Sequence, residues 1–336
     1  MTRKLGIAVI GLGPASLPHS KSLLDLSDRA EVRFAVSRSA ERAQSYARQF
    51  PFPTTTDLDA VLADPAVDAM IVLTPPSAHL EISARCLEAG KHVLVEKPLE
   101  LTSERGQRLV DTARRTGKIF GVVLQHRFRP ASLRLKAALD GGELGTIEAA
   151  FLAVPWWRPQ SYYDEPGRGT LARDGGGVLL TQAIHSLDLF RSLVGVSRVV
   201  AAQARTTALH RMETEDYVSA LLETRDGAPA TLVATTAAYP GHPERIEITG
   251  TKGFAALIGG RLRLAFLDGR EEIIEAEGAT GSGANIMDFP HDAHRAVIAD
   301  FLDAVEAGRD PVVTGEEALA SQRLVDDILK AARGGA

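Results

Sequence analysis

The chain begins with a short apolar run that ends at a glycine-rich turn and continues into a segment with helical spacing. The run is Leu5–Ile10, and the turn reads Gly11-Leu12-Gly13-Pro14-Ala15-Ser16. A G-x-G-x-x-S sequence between a strand and a helix is a variant of the dinucleotide-binding fingerprint. Its first glycine permits the tight turn, its second lets the backbone approach a pyrophosphate, and the helix N-terminus adds partial positive charge. We therefore predict dinucleotide contacts at Gly11, Gly13, Pro14 and Ala15.

Short apolar runs alternate with amphipathic segments through the first 125 residues. Strand and helix alternation is typical of βαβ units, which build a parallel sheet with helices on both faces. We therefore predict an α/β fold, with a Rossmann doubly wound parallel sheet as the dinucleotide-binding domain over residues 1–125. The predicted strands are Leu5–Ile10, Glu31–Val36, Ala69–Leu73, His92–Val95 and Ile119–Leu124. The predicted helices are Leu17–Leu26, Ala40–Gln49, His79–Ala89 and Ser103–Thr116.

The second half has a different pattern, because several β-rich stretches follow one another without helices between them. Asp226-Gly227 and Asp268-Gly269 are typical hairpin turns. We predict a C-terminal α+β domain over residues 126–336, with a large, mostly antiparallel open sheet and a last helix that packs back on the first domain. A glycine-rich loop is predicted over residues 278–283. The predicted strand regions are Arg198–Thr207, Asp216–Thr224, Ala230–Ala238, Glu244–Gly250 and Phe254–Glu275; the helices are Pro130–Asp140, Thr181–Val194, His294–Ala307 and Glu316–Ala332.

Composition excludes several classes of protein. There are 38 Lys and Arg against 43 Asp and Glu, a formal net charge of −5, and no basic stripe that would suit nucleic acid. The single cysteine, Cys86, cannot form a disulfide within the chain. No run of residues approaches the length of a membrane span, and no signal peptide follows Arg3-Lys4. We expect a cytoplasmic protein with no nucleic-acid or membrane partner.

The end of the second predicted strand bears on the choice of cofactor. An NAD site usually places an acidic residue there, whereas this chain reads Ser37-Arg38-Ser39. The guanidinium of Arg38 could pair with a 2′-phosphate, with Ser37 beside it, so the sequence favours NADP and leaves NAD possible. The alternative is that Arg38 is a solvated surface residue.

Five later motifs together resemble the Gfo/Idh/MocA oxidoreductases, the family of glucose–fructose oxidoreductase, inositol dehydrogenase and rhizopine-catabolism proteins. They occur in the expected order and span nearly the whole chain. The motifs are Leu73-Thr74-Pro75-Pro76-Ser77-Ala78-His79, Val95-Glu96-Lys97-Pro98, Gly175-Gly176-Gly177-Val178-Leu179-Leu180, His185-Ser186-Leu187-Asp188 and Asp300-Phe301-Leu302-Asp303-Ala304-Val305.

The resemblance implies that Lys97 lies beside the nicotinamide and the substrate hydroxyl. A lysine there can stabilise an alkoxide or, with a lowered pKa, act as the base that removes the hydroxyl proton. Glu96 would orient Lys97 or the cofactor, with a purely structural function at the strand end as the alternative. The further cofactor contacts that we predict in these motifs are Thr74, Pro75 and His79.

The resemblance also implies that His185 is a second acid/base group or a ligand of the substrate hydroxyl. Histidine suits a proton relay near neutral pH, although a histidine on an apolar helix is more often a core residue. Asp188 shares its predicted helix face and is interpreted as a structural partner. The chain departs from the family four residues before His185, where many members carry aspartate and this chain has Thr181. Thr181 can hydrogen-bond a substrate but cannot serve as a carboxylate base.

The densest aromatic stretch is Trp156–Tyr163. Aromatic faces beside an arginine suit a sugar ring or an anionic group, and we predict substrate contacts at Trp157, Arg158 and Tyr163. The alternative is a loop that only packs. Two histidines, His291 and His294, lie three residues apart, but no Cys/His cluster completes a ligand set, so we predict no metal.

Together these features predict an NADP(H)-dependent oxidoreductase that acts on a secondary hydroxyl or ketone of a sugar, cyclitol or related polyol. Three alternatives remain. The first is an enzyme that keeps its cofactor tightly bound and reoxidises it with a second sugar, and the second is a sensor of the same fold that binds nucleotide and sugar without turnover. The third is an enzyme for a dihydrodiol-type or pyrrole-type substrate. An exposed open sheet risks aggregation, and the family often covers it by pairing subunits. We therefore expect a homodimer or homotetramer formed through the C-terminal sheet.

Overall fold

A computed structural model describes residues 3–275 and 290–334 of the chain. The first sheet has six parallel strands in the order β3-β2-β1-β4-β5-β6. Its strands are β1 (Leu5–Ile10), β2 (Ala30–Val36), β3 (Thr54–Thr55), β4 (Ala69–Val72), β5 (His92–Val95) and β6 (Phe120–Val122). The helices that alternate with them are α1 (Ser16–Asp25), α2 (Ala40–Ala47), α3 (Leu58–Ala63), α4 (His79–Glu88) and α5 (Ser103–Thr116).

The apolar runs in the sequence become the central strands of this sheet. Every residue of β1 and β4 is buried, as expected for strands covered on both faces. Helix α5 has clear sequence boundaries, because Thr102 caps its first turn and Gly117 follows its last turn with a left-handed φ of 64°. The two short elements β3 and α3 lay outside the predicted set. The predicted doubly wound parallel sheet is confirmed.

A later segment of the chain also belongs to the first compact unit. The chain divides into two compact units, of which the first comprises Met1–Gln125 and His291–Leu319. Within it, α11 (Asp292–Ala307) packs against α1, and Val122 in β6 donates its backbone N–H to the carbonyl of Val313. The sequence had assigned residues 126–336 to the second domain and expected only the last helix to return. The structure differs because α11 buries its apolar face against α1.

The second unit comprises His126–Pro290 and Ala320–Ala336. Its sheet has eight strands in the order β14-β13-β12-β11-β7-β10-β9-β8, and every pair except β7–β10 is antiparallel. The predicted mostly antiparallel sheet is confirmed. The strands are β7 (Ile147–Pro155), β8 (Arg198–Arg205), β9 (Tyr217–Glu223), β10 (Pro229–Thr235), β11 (Arg245–Gly250), β12 (Gly253–Ile258), β13 (Arg261–Phe266) and β14 (Glu271–Ile274).

Helices cover one face of this second sheet. Helix α10 (Ile184–Val194) packs on β7, and α6 (Pro130–Asp140) packs on β12 and β13. The predicted helix over Thr181–Val194 corresponds to α10, which begins three residues later at Ile184, and the separate one-turn helix α9 (Val178–Thr181) precedes it. The helices of this part are α6 (Pro130–Asp140), α7 (Gln160–Tyr163), α8 (Leu171–Asp174), α9 (Val178–Thr181) and α10 (Ile184–Val194); the last helix, α12 (Gly315–Gly334), begins in the first unit and continues into the second.

Two further sequence expectations concern a membrane-spanning helix and a glycine-rich loop. Across the described ranges, no helix is both long and apolar enough to cross a membrane. The predicted glycine-rich loop over residues 278–283 lies outside the described residues.

Candidate active site

The glycine-rich turn is closed by backbone contacts with the neighbouring strands. Gly11 has a φ of 101°, and a Cβ built there would lie 2.8 Å from the carbonyl carbon of Leu73. Its N–H donates to the carbonyl of Val36 at 3.0 Å. A Cβ at Gly13 would meet nothing within 4 Å. Gly11 is therefore required by the turn itself, whereas Gly13 leaves open space above the backbone.

Helix α1 begins directly after this turn without a side-chain cap. Ala15 occupies the N-cap position, and the first turn of the helix contains no acidic residue. Pro14 and Ala15 are exposed, while Ser16 is buried and donates its hydroxyl to the carbonyl of Gly13 at 2.7 Å. The N–H groups of Ser16 and Leu17 donate to the carbonyls of Gly13 and Pro14, so this helix end favours an anion through its dipole.

The end of β2 contains hydroxyl groups and a cation. Ser37 is buried, and its Oγ accepts a hydrogen bond from the N–H of Ser39 at 3.2 Å. Ser39 in turn caps α2, because its Oγ accepts from the N–H of Arg42. Arg38 is exposed and forms no hydrogen bond or ion pair with any residue that the structure describes. No carboxylate lies between Ala35 and Ser39.

The end of β4 contributes Thr74 and Pro75. The Oγ1 atom of Thr74 is buried and has no hydrogen-bond partner in the described parts of the chain. Pro75 is exposed and precedes a 3₁₀ turn over Pro76–Ala78. A buried hydroxyl without a partner is uncommon in folded proteins and indicates a group that the chain alone does not satisfy.

His79 connects two segments that follow neighbouring strands. Its ring is fully buried, with Nδ1 3.0 Å from the carbonyl oxygen of Pro98 and Nε2 2.8 Å from that of Thr74. Burial lowers the pKa of His79 below its ordinary value, with the nearby carbonyl oxygens and carboxylates acting in the opposite direction. The ring therefore links the segment that carries Thr74 to the segment that carries Lys97. The predicted cofactor contact of His79 stays a prediction.

Lys97 follows β5 and is half-buried. The backbone N–H of Lys97 donates to Oε2 of Glu96 at 2.9 Å, and Oε1 of Glu96 lies 2.7 Å from Nε2 of His19. Burial alone would raise the pKa of Glu96, but the hydrogen bond from His19 and the neighbouring positive charges outweigh it and hold this pKa at about 2. Glu96 is therefore a carboxylate near neutral pH, with both oxygens engaged.

His19 was not predicted from the sequence, where His294 was rejected as a metal ligand. The two rings lie edge to face with centroids 5.2 Å apart, and both are buried. With Glu96 they form a group of three potential metal ligands whose donor atoms all lie within 4.8 Å of one another; within residues 3–275 and 290–334 no other such group occurs. The signal for His19 was weak, because a histidine on a helix next to a glycine-rich turn has the appearance of a core residue.

In the second unit, the triple glycine is explained by packing. A Cβ at Gly177 would lie 2.0 Å from the carbonyl oxygen of Glu215, and Gly175 has a φ of 77°. The N–H of Val178, the first residue of α9, donates to that same carbonyl at 2.8 Å. Burial raises the pKa of the Glu215 carboxyl group, and hydrogen bonds from backbone N–H groups oppose this effect. Gly177 thus lets the segment just before β9 approach the start of α9 closely, which fixes the start of the segment that leads to His185.

His185 lies on α10 and is buried. Its ring stacks on that of His126, with centroids 5.1 Å apart and an angle of 30° between the planes. Nε2 of His126 accepts a hydrogen bond from Arg129 at 2.7 Å, which requires that this nitrogen carry no proton. One turn further along α10, Asp188 is fully buried and binds the guanidinium of Arg127 through both oxygens.

The predicted substrate residues have internal partners. The hydroxyl of Thr181 donates to the carbonyl of Gly177 at 2.8 Å. Arg158 is buried and donates to Oε1 of Gln182 at 3.2 Å, and burial lowers its pKa from the usual arginine range. The Tyr163 hydroxyl lies 2.6 Å from Oγ1 of Thr236, and burial raises its pKa. Trp157 is half-buried and packs edge to face against the exposed Tyr239. Their substrate contacts stay predictions.

Comparison with known proteins establishes the family. Residues 5–124 match the family described as "Oxidoreductase family, NAD-binding Rossmann fold", and residues 132–256 match the "GFO/IDH/MocA C-terminal domain". The chain is 30% identical over 258 residues to inositol 2-dehydrogenase 2 of Saccharopolyspora erythraea. The matched region covers 75% of this chain and 73% of that protein. The chain belongs to the Gfo/Idh/MocA oxidoreductase family. The resemblance seen in the sequence motifs is thus confirmed, and with it the assignment as an NAD(P)-dependent oxidoreductase.

Two further relatives match this Gfo/Idh/MocA protein over almost its whole length. The scyllo-inositol 2-dehydrogenase (NAD(+)) of Bacillus subtilis is 28% identical over 330 residues, which covers 95% of this chain and 91% of that protein. Among solved structures, the WlbA dehydrogenase from Bordetella pertussis in complex with NADH and UDP-GlcNAcA has a TM-score of 0.85 and 28% identity. That similarity covers 100% of this chain and 97% of the other.

A dinucleotide fits the residues at the carboxyl edge of the first sheet. Gly13 leaves open space where a Cβ would otherwise stand, and the positive end of the α1 dipole begins beside it, with no acidic residue in the first turn. The buried Thr74 hydroxyl has no hydrogen-bond partner among the described residues, so a bound ligand would supply one. These features agree with a pyrophosphate at the glycine-rich turn and with the remainder of the cofactor running along the strand ends.

Proposed function

We propose that this chain is an NADP(H)-dependent oxidoreductase that transfers hydride to or from a secondary hydroxyl or ketone carbon of a sugar, cyclitol or related polyol. The observation that carries this proposal is the fixed position of Lys97 at the carboxyl edge of a dinucleotide-binding sheet, where Glu96 accepts its backbone N–H. Relatives named as inositol dehydrogenases support a polyol substrate.

Lys97 and His185 are the groups that we assign to proton transfer. When a secondary alcohol is oxidised, hydride leaves the carbon while its hydroxyl loses a proton. The amine of Lys97 takes that proton, or gives it back in the reduction, and His185 relays it. The bound nicotinamide supplies the hydride acceptor or donor. Because Thr181 replaces a carboxylate common in the family, this chain relies on the lysine and histidine for proton transfer.

A screen of polyols and sugars with NADP⁺ and NAD⁺ tests this reaction. We expect turnover of at least one polyol, and Lys97→Met is expected to lower kcat by at least about 100-fold, the scale of one general acid/base group. Lys118→Met, which removes another half-buried lysine of the first unit, serves as the matched control. Cofactor binding without turnover of any substrate would instead favour the sensor.

We assign the preference for NADP to Arg38. Its guanidinium is exposed next to Ser37, and the end of β2 lacks the carboxylate that would bind a ribose 2′-hydroxyl. A free guanidinium fork pairs well with a phosphate. The opposite preference has some support, since one relative is named as an NAD(+) enzyme and the WlbA structure contains NADH.

A fluorescence titration of the purified protein with NADPH and NADH, side by side, distinguishes these cofactors. We expect tighter NADPH binding, weakened about tenfold or more by Arg38→Ala while NADH binding changes little, because only the charged contact is lost. Arg48→Ala removes another exposed arginine just after α2 and is the control. Tighter NADH binding in the unaltered protein would reverse the cofactor assignment and leave the oxidoreductase intact.

We further propose that the chain forms a dimer or tetramer through the outward face of its second sheet. The helices α6, α9 and α10 pack on this sheet, whereas the strands also carry exposed apolar residues. The pairing register aligns one residue from each of five adjacent strands in a single row on that outward face. The row consists of Ala201, Leu221, Thr231, Phe151 and Glu247.

A further inference from the structure

We propose that His19 and His294 are positioning residues, which act through Glu96 to hold the backbone of Lys97 in its working position. This inference rests on the proposed function of Lys97 and extends it to two residues on helices α1 and α11. The proposal concerns three successive contacts inside the first unit. His294 packs on His19, His19 hydrogen-bonds Glu96, and Glu96 accepts the backbone N–H of Lys97.

The first contact is between His19 and the Glu96 carboxylate. Nε2 of His19 lies 2.7 Å from Oε1 of Glu96, and the side chains are fully buried and 13% exposed, respectively. The other oxygen, Oε2, accepts the N–H of Lys97. Because an ionised carboxylate can only accept, His19 must donate from Nε2. The carboxylate is thus held on one side by the imidazole and holds, on its other side, the peptide that carries Lys97.

The second contact fixes the orientation of the His19 ring. Nδ1 of His19 is buried and has no hydrogen-bond partner among residues 3–275 and 290–334. Described hydrogen bonds therefore hold the ring at one atom only, and packing must prevent its rotation about that bond. The His294 ring meets it edge to face at 5.2 Å with an interplanar angle of 83°. This is a preferred geometry for two aromatic rings.

His294 contributes shape rather than charge. Its side chain is almost completely buried, and this burial, with the nearby His19 as the next cause, lowers its pKa to about 3. The other charged groups that act on it are Glu96, His291 and Lys97. A neutral ring does not compete with His19 for the negative charge of Glu96. We therefore expect an uncharged aromatic ring to replace His294, and a small side chain to fail.

The position of His294 in the chain makes the proposal specific. It lies in the first turn of α11, about 200 residues after Lys97, on the segment that returns to the first unit and packs against α1. Helix α11 therefore has a function beyond covering apolar surface, since it brings a ring against the group that fixes the proposed catalytic lysine.

Two pairs of variants separate positioning from general structure. His19→Gln keeps an N–H donor near the place of Nε2, whereas His19→Leu removes it; His294→Phe keeps the ring, whereas His294→Ala removes it. We expect His19→Leu and His294→Ala to lower kcat by about tenfold or more, because small misplacements of a reacting group are costly to rate. His19→Gln and His294→Phe should remain within about threefold of the unaltered enzyme, and the Kd for NADPH should change little in all four. His291→Ala is the control, because His291 immediately precedes the same helix and pairs with Asp25 at the surface.

The outcomes distinguish this inference from the proposed function. If Lys97→Met retains kcat in the same assay, the proposed function itself fails. If Lys97→Met abolishes turnover while His19→Leu and His294→Ala retain kcat, the positioning proposal alone is overturned. Equal losses in His294→Ala and His294→Phe would also overturn it, because the ring shape would then be irrelevant. So would one equivalent of bound zinc or another divalent metal that is lost in His19→Leu, since these residues would then be ligands.

Discussion

Arg127 donates two hydrogen bonds to the fully buried carboxylate of Asp188, from Nε to Oδ2 at 2.6 Å and from Nη2 to Oδ1 at 2.7 Å. The Ser321 hydroxyl donates to the same carboxylate at 2.6 Å. Asp188 lies on α10, the helix of His185, so this ion pair fixes the helix on which the proposed relay stands. The bidentate geometry agrees with the structural interpretation of Asp188 made from the sequence.

Removal of the guanidinium should strongly destabilise the second unit. Arg127→Met leaves the buried carboxylate of Asp188 without its cation, and breaking a buried pair from one side typically costs about 3–5 kcal/mol. The double variant Arg127→Met/Asp188→Leu should regain most of that loss, because an apolar pair needs no charge compensation. Urea unfolding of the single and double variants measures both effects. A double variant as unstable as Arg127→Met would contradict this account.

The buried ring of His79 should stabilise the segments that carry Thr74 and Lys97. In His79→Ala, the hydrogen bond from the ring to a backbone carbonyl is lost and buried carbonyl groups lose their donor, at a cost of about 1–3 kcal/mol. Ser83→Ala is the matched control on the same helix, because the Ser83 hydroxyl is buried without a hydrogen-bond partner in the described chain. Urea midpoints should fall for His79→Ala and hold or rise for Ser83→Ala. If His79→Ala unfolded at the same urea concentration as the unaltered protein, the His79 ring would not stabilise these two segments.

Glu96 should make the stability of the first unit depend on pH in the acidic range. The pKa of this carboxyl group is about 2 in the folded protein against 4.5 in the unfolded chain. A lowered folded-state pKa stabilises the fold above the unfolded pKa, and this stabilisation is lost as pH falls from 4.5 towards about 2. Its full size is on the order of 3 kcal/mol.

Comparison with Glu96→Gln isolates that contribution from those of other carboxyl groups. The difference in unfolding free energy between the two proteins should be largest near neutral pH and should shrink as pH is lowered to about 3. Urea titrations across this range give the difference directly. A difference that stays constant with pH would show that the pKa of Glu96 is not lowered by folding.

The sequence predicted the features that depend on local pattern. These features are the glycine-rich first turn, the apolar strands and the ends of α5 at Thr102 and Gly117. Each of them depends only on residues that are close together in the sequence. Strand β7 was missed, although its residues from Ala149 onward alternate between half-buried and buried. It pairs in parallel with β10, which lies far along the chain. The contact of His19 with His294 depends on how α11 packs against α1, a long-range relationship that no local spacing encodes.

The proposed assembly through the second sheet leads to the last prediction. Leu221 is 53% exposed on β9 and has Ala201 and Thr231 beside it on the same face. A lysine in an apolar interface must be desolvated, so Leu221→Lys should shift the assembly towards the 35.9 kDa monomer. Light scattering after gel filtration measures the mass. Leu267→Lys, in the turn between β13 and β14 and 82% exposed, should keep the mass of the unaltered protein. A monomeric unaltered protein would contradict the assembly, because its sheet face would then be stable in water without a partner.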